Sequence, residues 1–172
     1  MSSDPGLLFG ILLYTFHLQE ARSRHASVVM DNKLWITGGN GDGDAYESTE
    51  FVLSNGKVEQ GPDLPYKMFA HCMVKLMDGK VMLIGGYTKE KGWQKWQLPR
   101  EDDRVLIYDP QKNTFKQSSK LNYRRFLHAC AVFHSPKHGG RPIVMTAGGT
   151  ADQSAEVLDY TRDSAKWEDS GK

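Results

Sequence analysis

Three Gly-Gly doublets, Gly38-Gly39, Gly85-Gly86 and Gly148-Gly149, each close a short apolar run inside a longer pattern that recurs three times along the chain. Such self-similarity constrains architecture before any single residue can be read for chemistry, because one unit cannot bury its apolar face alone and must stack on the next. Other landmarks keep the same register. His25, His71 and His128 open alternating segments, and the doublets follow 13, 14 and 20 residues later. Phe51, Tyr108 and Tyr160 come next, with Val58, Phe115 and Trp167 seven residues beyond them.

Each unit reads as four short strands. The His-led segment is the first, and it turns at Asp31-Asn32 or Asp78-Gly79, pairs that tolerate positive φ and suit a tight two-residue hairpin. The second, β-branched and aliphatic, spans 33–39, 80–86 or 142–149, with glycines where the backbone must bend or another segment passes close. The third covers 48–53, 104–109 or 155–160, and a short fourth strand carries Val58, Phe115 or Trp167. Asn55-Gly56, Asp109-Pro110 and Arg162-Asp163-Ser164 supply the intervening turns.

Four strands per unit, a period near ~50 residues and a doublet ending the second strand match a kelch blade among known repeat classes. On the doublets, the Tyr108-Asp109-Pro110 turn with Phe115, and the Tyr160 and Trp167 pair, the chain resembles the kelch-repeat family. Phe51 and Val58 depart from the usual tyrosine and tryptophan of that pattern, as does Phe115. The resemblance implies an all-β fold, a kelch β-propeller fragment of three four-stranded antiparallel blades at about 21–66, 67–123 and 124–172. Residues 1–20 are expected to be the last strand of a preceding blade or a non-native segment. Gly38, Gly39, Gly85, Gly86, Gly148, Gly149, Tyr108, Phe115, Tyr160 and Trp167 are expected to be structural.

Closed propellers use about four to eight blades, so three should form an incomplete ring whose uncovered blade faces promote self-association. Net charge is +1 with 25% charged residues, which supports no nucleic-acid partner. The apolar run Leu7 to Phe16 is short for a membrane helix, and no membrane partner is expected. Two cysteines, Cys72 and Cys130, do not make a disulfide framework, and buried free thiols in a reducing, cytoplasmic setting are the expectation. Cys72 lies one residue after its histidine and Cys130 two after, so the thiols should point to opposite sides of their strands.

Strand alternation places the loop between strands two and three on the same side as the link between units. The 87–103 insertion is the longest such loop and holds Tyr87, Trp93, Trp96 and Arg100. The links add Lys67, Tyr123, Arg124 and Arg125. Exposed aromatic and guanidinium groups are typical of protein hot spots, and guanidinium suits carboxylates, so these residues form a candidate face for a protein or peptide partner of acidic character. Trp93 and Trp96 could instead fold back over a blade edge, and one of the arginines could stay home to bond carbonyls between blades. No catalytic, cofactor or metal motif is present. The expected function is a non-enzymatic interaction module, similar to the substrate-recognition part of cullin-type ubiquitin ligase adaptors. A cytoskeletal, actin-associated role is the alternative, and a metal-dependent propeller enzyme the alternative of another class.

Overall fold

The structure, a computed structural model, describes residues 16–90, 92, 97–149 and 154–170. Its main elements are three four-stranded antiparallel sheets, each built from strands taken in chain order. The first sheet comprises Ala26–Met30, Lys33–Thr37, Thr49–Val52 and Val58–Gln60. The middle sheet comprises Cys72–Lys75, Val81–Ile84, Val105–Asp109 and Thr114–Gln117, and the third Ala129–Ser135, Arg141–Ala147, Ala155–Leu158 and Glu168–Asp169. A 3-10 turn at Pro136–His138 is the one helical element among the described residues.

Local chemistry explains the hairpins. Asp31 and Asn32 both take positive φ, +48° and +60°, and Met30 pairs with Lys33, giving the expected two-residue turn. The middle sheet differs. Leu76 N–H bonds Lys80 O at 2.8 Å, so the turn is a three-residue loop in which only Gly79 is left-handed, at φ +84°. Trp167 also departs from expectation, since the fourth strand of the third sheet begins one residue later.

The sheets stack in chain order with the middle one buried on both faces. Met73, Val81, Leu83, Leu106 and Tyr108 join a core with Met30 and Trp35 of the first sheet. From the opposite face, Val74, Met82, Ile84 and Val105 join Val144 and Leu158 of the third. A strand covered on both sides must read as continuous hydrophobics, and Val81-Met82-Leu83-Ile84 does so with each residue fully buried. Trp35 sits 4.6 Å from the Tyr108 ring, itself 4.9 Å from Phe115, which ties the first sheet to the middle one. Trp167 Nε1 donates to Ser119 O at 3.1 Å, and Met77 N–H donates to Tyr160 OH at 3.2 Å, tying the middle sheet to the third.

The doublets mark where the link to the next sheet passes over. Gly39 N–H bonds Met68 O at 2.9 Å, and Gly86 N–H bonds Arg125 O at 2.6 Å. A Cβ on Gly86, whose φ is +97°, would lie 2.7 Å from Phe69 O and 2.9 Å from His71 N, so neither the backbone conformation nor the space admits a side chain.

Candidate functional site

Two small sheets lie beside the main ones and were not anticipated. Asn40–Gly41 pairs with Asp44–Ala45, and Tyr87–Lys89 pairs with both Lys67–Phe69 and Arg100–Glu101. Part of the 87–103 insertion and of the link holding Lys67 is therefore strand. The second pairing also shows that the link before the middle sheet and the insertion within it share one side of the molecule, bringing Lys67, Tyr87 and Arg100 together.

The packing of these residues separates those already engaged from those available. The Tyr87 ring lies 5.2 Å from Phe69 and 4.6 Å from Phe126, so it is part of a small aromatic cluster. Lys67 Nζ is 2.7 Å from Asp44 Oδ2, while the buried Lys89 Nζ is 2.9 Å from Asp44 Oδ1. Burial pushes the Asp44 carboxyl up, but hydrogen bonds from the two lysines outweigh it and hold the group at about 2. Lys67 is thus an internal counter-ion rather than an open cation.

Arg100 and Arg124 line a common cavity of about 430 Å³, together with Thr88, Glu90, Arg104 and Lys120. The carboxylates there have partners in the fold. Arg104 Nε is 2.6 Å from Asp102 and its Nη1 3.0 Å from Glu90, with the guanidinium 3.9 Å above the Tyr66 ring. Lys120 Nζ is 3.3 Å from Asp103. Glu101 sits close enough to Tyr87 for its charge to raise the Tyr87 phenol, after burial. Arg124, by contrast, is exposed and forms no ion pair among the described residues. Tyr123 stands beside it, 39% exposed. Trp93 and Trp96 lie outside the described residues.

Arg125 is a correction. It is fully buried, not part of an open face, because its guanidinium is wrapped by the third sheet: Nε to Glu156 Oε1 at 2.9 Å, Nη1 to Ser154 O at 2.8 Å and Gly148 O at 2.9 Å, and Nη2 to Ser154 Oγ at 2.6 Å. The first sheet repeats the arrangement. Arg22 bonds Glu50 at 2.6 Å, Gly38 O at 2.7 Å, Ser48 O at 3.0 Å and Ser48 Oγ at 3.1 Å. Arg22 and Arg125 each stand three residues before the unit's histidine, and a Ser-x-Glu follows each doublet at Ser48 and Ser154. The middle unit lacks both halves: Met68 takes the arginine position and Leu106 the glutamate position, both buried in the apolar core.

The cysteines are the second correction. Cys72 and Cys130 form a disulfide with Cα atoms 6.0 Å apart, so neither is a free thiol. The side-chain directions derived from the sequence account for it. Cys72 points out of the middle sheet toward the third, Cys130 points out of the third toward the middle, and their strands are neighbours. The reducing-compartment expectation rested on free thiols and loses that ground. Near the bridge, burial pulls His71 down to about 3, reinforced by the neighbouring His128 and His25, and Thr37 Oγ1 lies 2.8 Å from its Nε2. Burial, followed by the charge of Arg125, pulls His128 down to about 4. Both rings are neutral at physiological pH.

Leu98, 82% exposed, is a feature that sequence reasoning passed over. With Pro99, Phe69, Ala45 and Lys89 it borders a smaller cavity of about 230 Å³. No helix among the described residues is long and apolar enough to cross a membrane.

No family model matches the chain. Among solved structures it is similar to YjhT, with a TM-score of 0.65 and 15% identity over 86% of this chain and 51% of that one. The likeness is one of fold, and the chain spans about half the length of that protein.

Proposed function

We propose that this chain is a non-enzymatic protein-interaction module, a stack of three kelch-type propeller blades that takes an acidic peptide on the side bearing the insertion. The observation carrying this reading is Arg124: an exposed guanidinium with no ion pair among the described residues, on a cavity where Glu90, Asp102 and Asp103 are engaged by Arg104 and Lys120. A peptide carboxylate entering there gains a charge-assisted, bidentate partner without displacing an internal one. Tyr123 and Arg100, which also lines the cavity, would flank it, and Trp93 and Trp96 belong to the same insertion as Arg100. Lys67 and Arg125 support the face from within.

A fluorescein-labelled pool of Asp- and Glu-rich decapeptides, read by anisotropy against a Lys-rich pool, tests the reading. Arg124→Ala should weaken binding of the acidic pool by about 1 kcal/mol or more. Changes at Lys137 and His138, on the hairpin turn at the opposite strand ends, should leave it unchanged. Loss of binding with Lys137→Ala and His138→Ala but not with Arg124→Ala would refute the face assignment, and equal binding of both pools would refute the acidic character.

A further inference from the structure

The two internal interfaces follow one rule. Along the first strand of each sheet and into the turn after it, the residues one, three and five places after the histidine face the next sheet: Ala26, Val28 and Met30 toward the middle sheet, and Cys72, Val74 and Leu76 toward the third. Met30, Val74 and Leu76 are buried there, at 4%, 8% and 3% exposure. The third sheet carries Ala129, Ala131 and Phe133 at those positions, and all three are exposed, Phe133 at 38%. Ile143 and Met145, paired with Phe133 and Ala131, lie on the same side of the sheet, but Ile143 is buried at 1% exposure and Met145 half-buried, so the open part of this face is its first strand. Along its first strand the third sheet therefore presents residues of the kind that the other two sheets have covered.

The receiving type of face exists in the same chain. On the third sheet, the side that receives the middle sheet carries Cys130 and Val132 on the first strand, backed by the Arg125 and Glu156 pair. The first sheet has Ser27 and Val29 at those positions, backed by the Arg22 and Glu50 pair, and Val29 is 62% exposed. Neighbouring first strands approach to 6.0 Å between Cα atoms at Cys72 and Cys130. The counterparts in a pairing of third sheet with first sheet would be Ala129 and Ser27, both small enough for that approach.

From this continuity we propose that a second copy of the chain docks on the third sheet, its Ser27 and Val29 edge against Ala129, Ala131 and Phe133, repeating the packing of middle sheet on third. The docking is independent of the peptide reading, since it uses sheet faces and not the insertion side.

Ala129→Cys and Ser27→Cys, made in separate chains that retain the native bridge, test both contact and register. After mixing and mild oxidation, the expected result is a species of twice the chain mass on a non-reducing gel, with peptide mapping joining positions 129 and 27. Neither variant alone should yield it. Sedimentation of the unaltered chain should show mass rising with concentration toward two chains, and Phe133→Asp should hold it at one. A unaltered chain that stays monomeric throughout overturns the proposal. So does a map joining position 129 to 129, which would mean third sheets pairing with each other, or coverage of Phe133 within one chain, seen as protection of this face in a monomer.

Discussion

Arg125→Met should cost about 3–5 kcal/mol of folding stability, because it strands the fully buried Glu156 carboxylate without its counter-ion. The carbonyls of Gly148 and Ser154 lose a donor in the same step. Adding Glu156→Leu should return much of that loss. An ion pair held at zero exposure gives up the hydration of both charges, so replacing the pair together by apolar groups is often neutral or favourable where removing one member is not. The molecule already contains the outcome of that exchange, with Met68 and Leu106 standing in the middle unit where the outer two units have arginine and glutamate. Urea unfolding of the two single variants and the double decides it. A double variant less stable than either single would show that an apolar pair like Met68 and Leu106 cannot stand in for the arginine and glutamate here.

Loss of the disulfide should be the next largest effect. The bridge joins residues 58 apart in sequence and staples the first strands of the middle and third sheets. Closing a loop of that size restricts the unfolded chain, and Cys72→Ser with Cys130→Ser should lower stability by about 2–4 kcal/mol. Melting of the oxidised chain with and without a dithiol reductant should show the same loss without mutation. If reduction leaves the melting temperature unmoved, the bridge does not staple the sheets. The pair also bears on where the chain works, since a bridge of this kind persists in oxidising surroundings and not in a reducing cytosol.

What could be read from residues alone followed from periodicity. The doublets, the histidines and the seven-residue aromatic spacing all express one repeated backbone path, so the strand count per unit and the antiparallel order were legible. Arg125 was harder because its role depends on a residue 31 positions away. A signal was nevertheless present: Arg22 and Arg125 occur with Ser48-x-Glu50 and Ser154-x-Glu156, and both halves vanish together in the middle unit. Comparing units position by position would have marked the arginine as internal. The disulfide was missed for a related reason. Alternation correctly sent the two thiols to opposite sides of their own strands, but faces of consecutive sheets meet, so opposite directions bring the sulfurs together. The short strands Lys67–Phe69 and Tyr87–Lys89 carry too few residues for any period to show.

Amide hydrogen exchange on the free chain, read by mass spectrometry, tests most directly whether three repeated sheets stack in chain order. Protection should be greatest in Val81–Ile84 and Val105–Asp109, because the middle sheet is covered on both faces, and should fall in the corresponding strands of the first and third sheets. If the strands Lys33–Thr37 or Arg141–Ala147 outlast Val81–Ile84, the middle sheet is not the one enclosed, and the stacking described here is wrong.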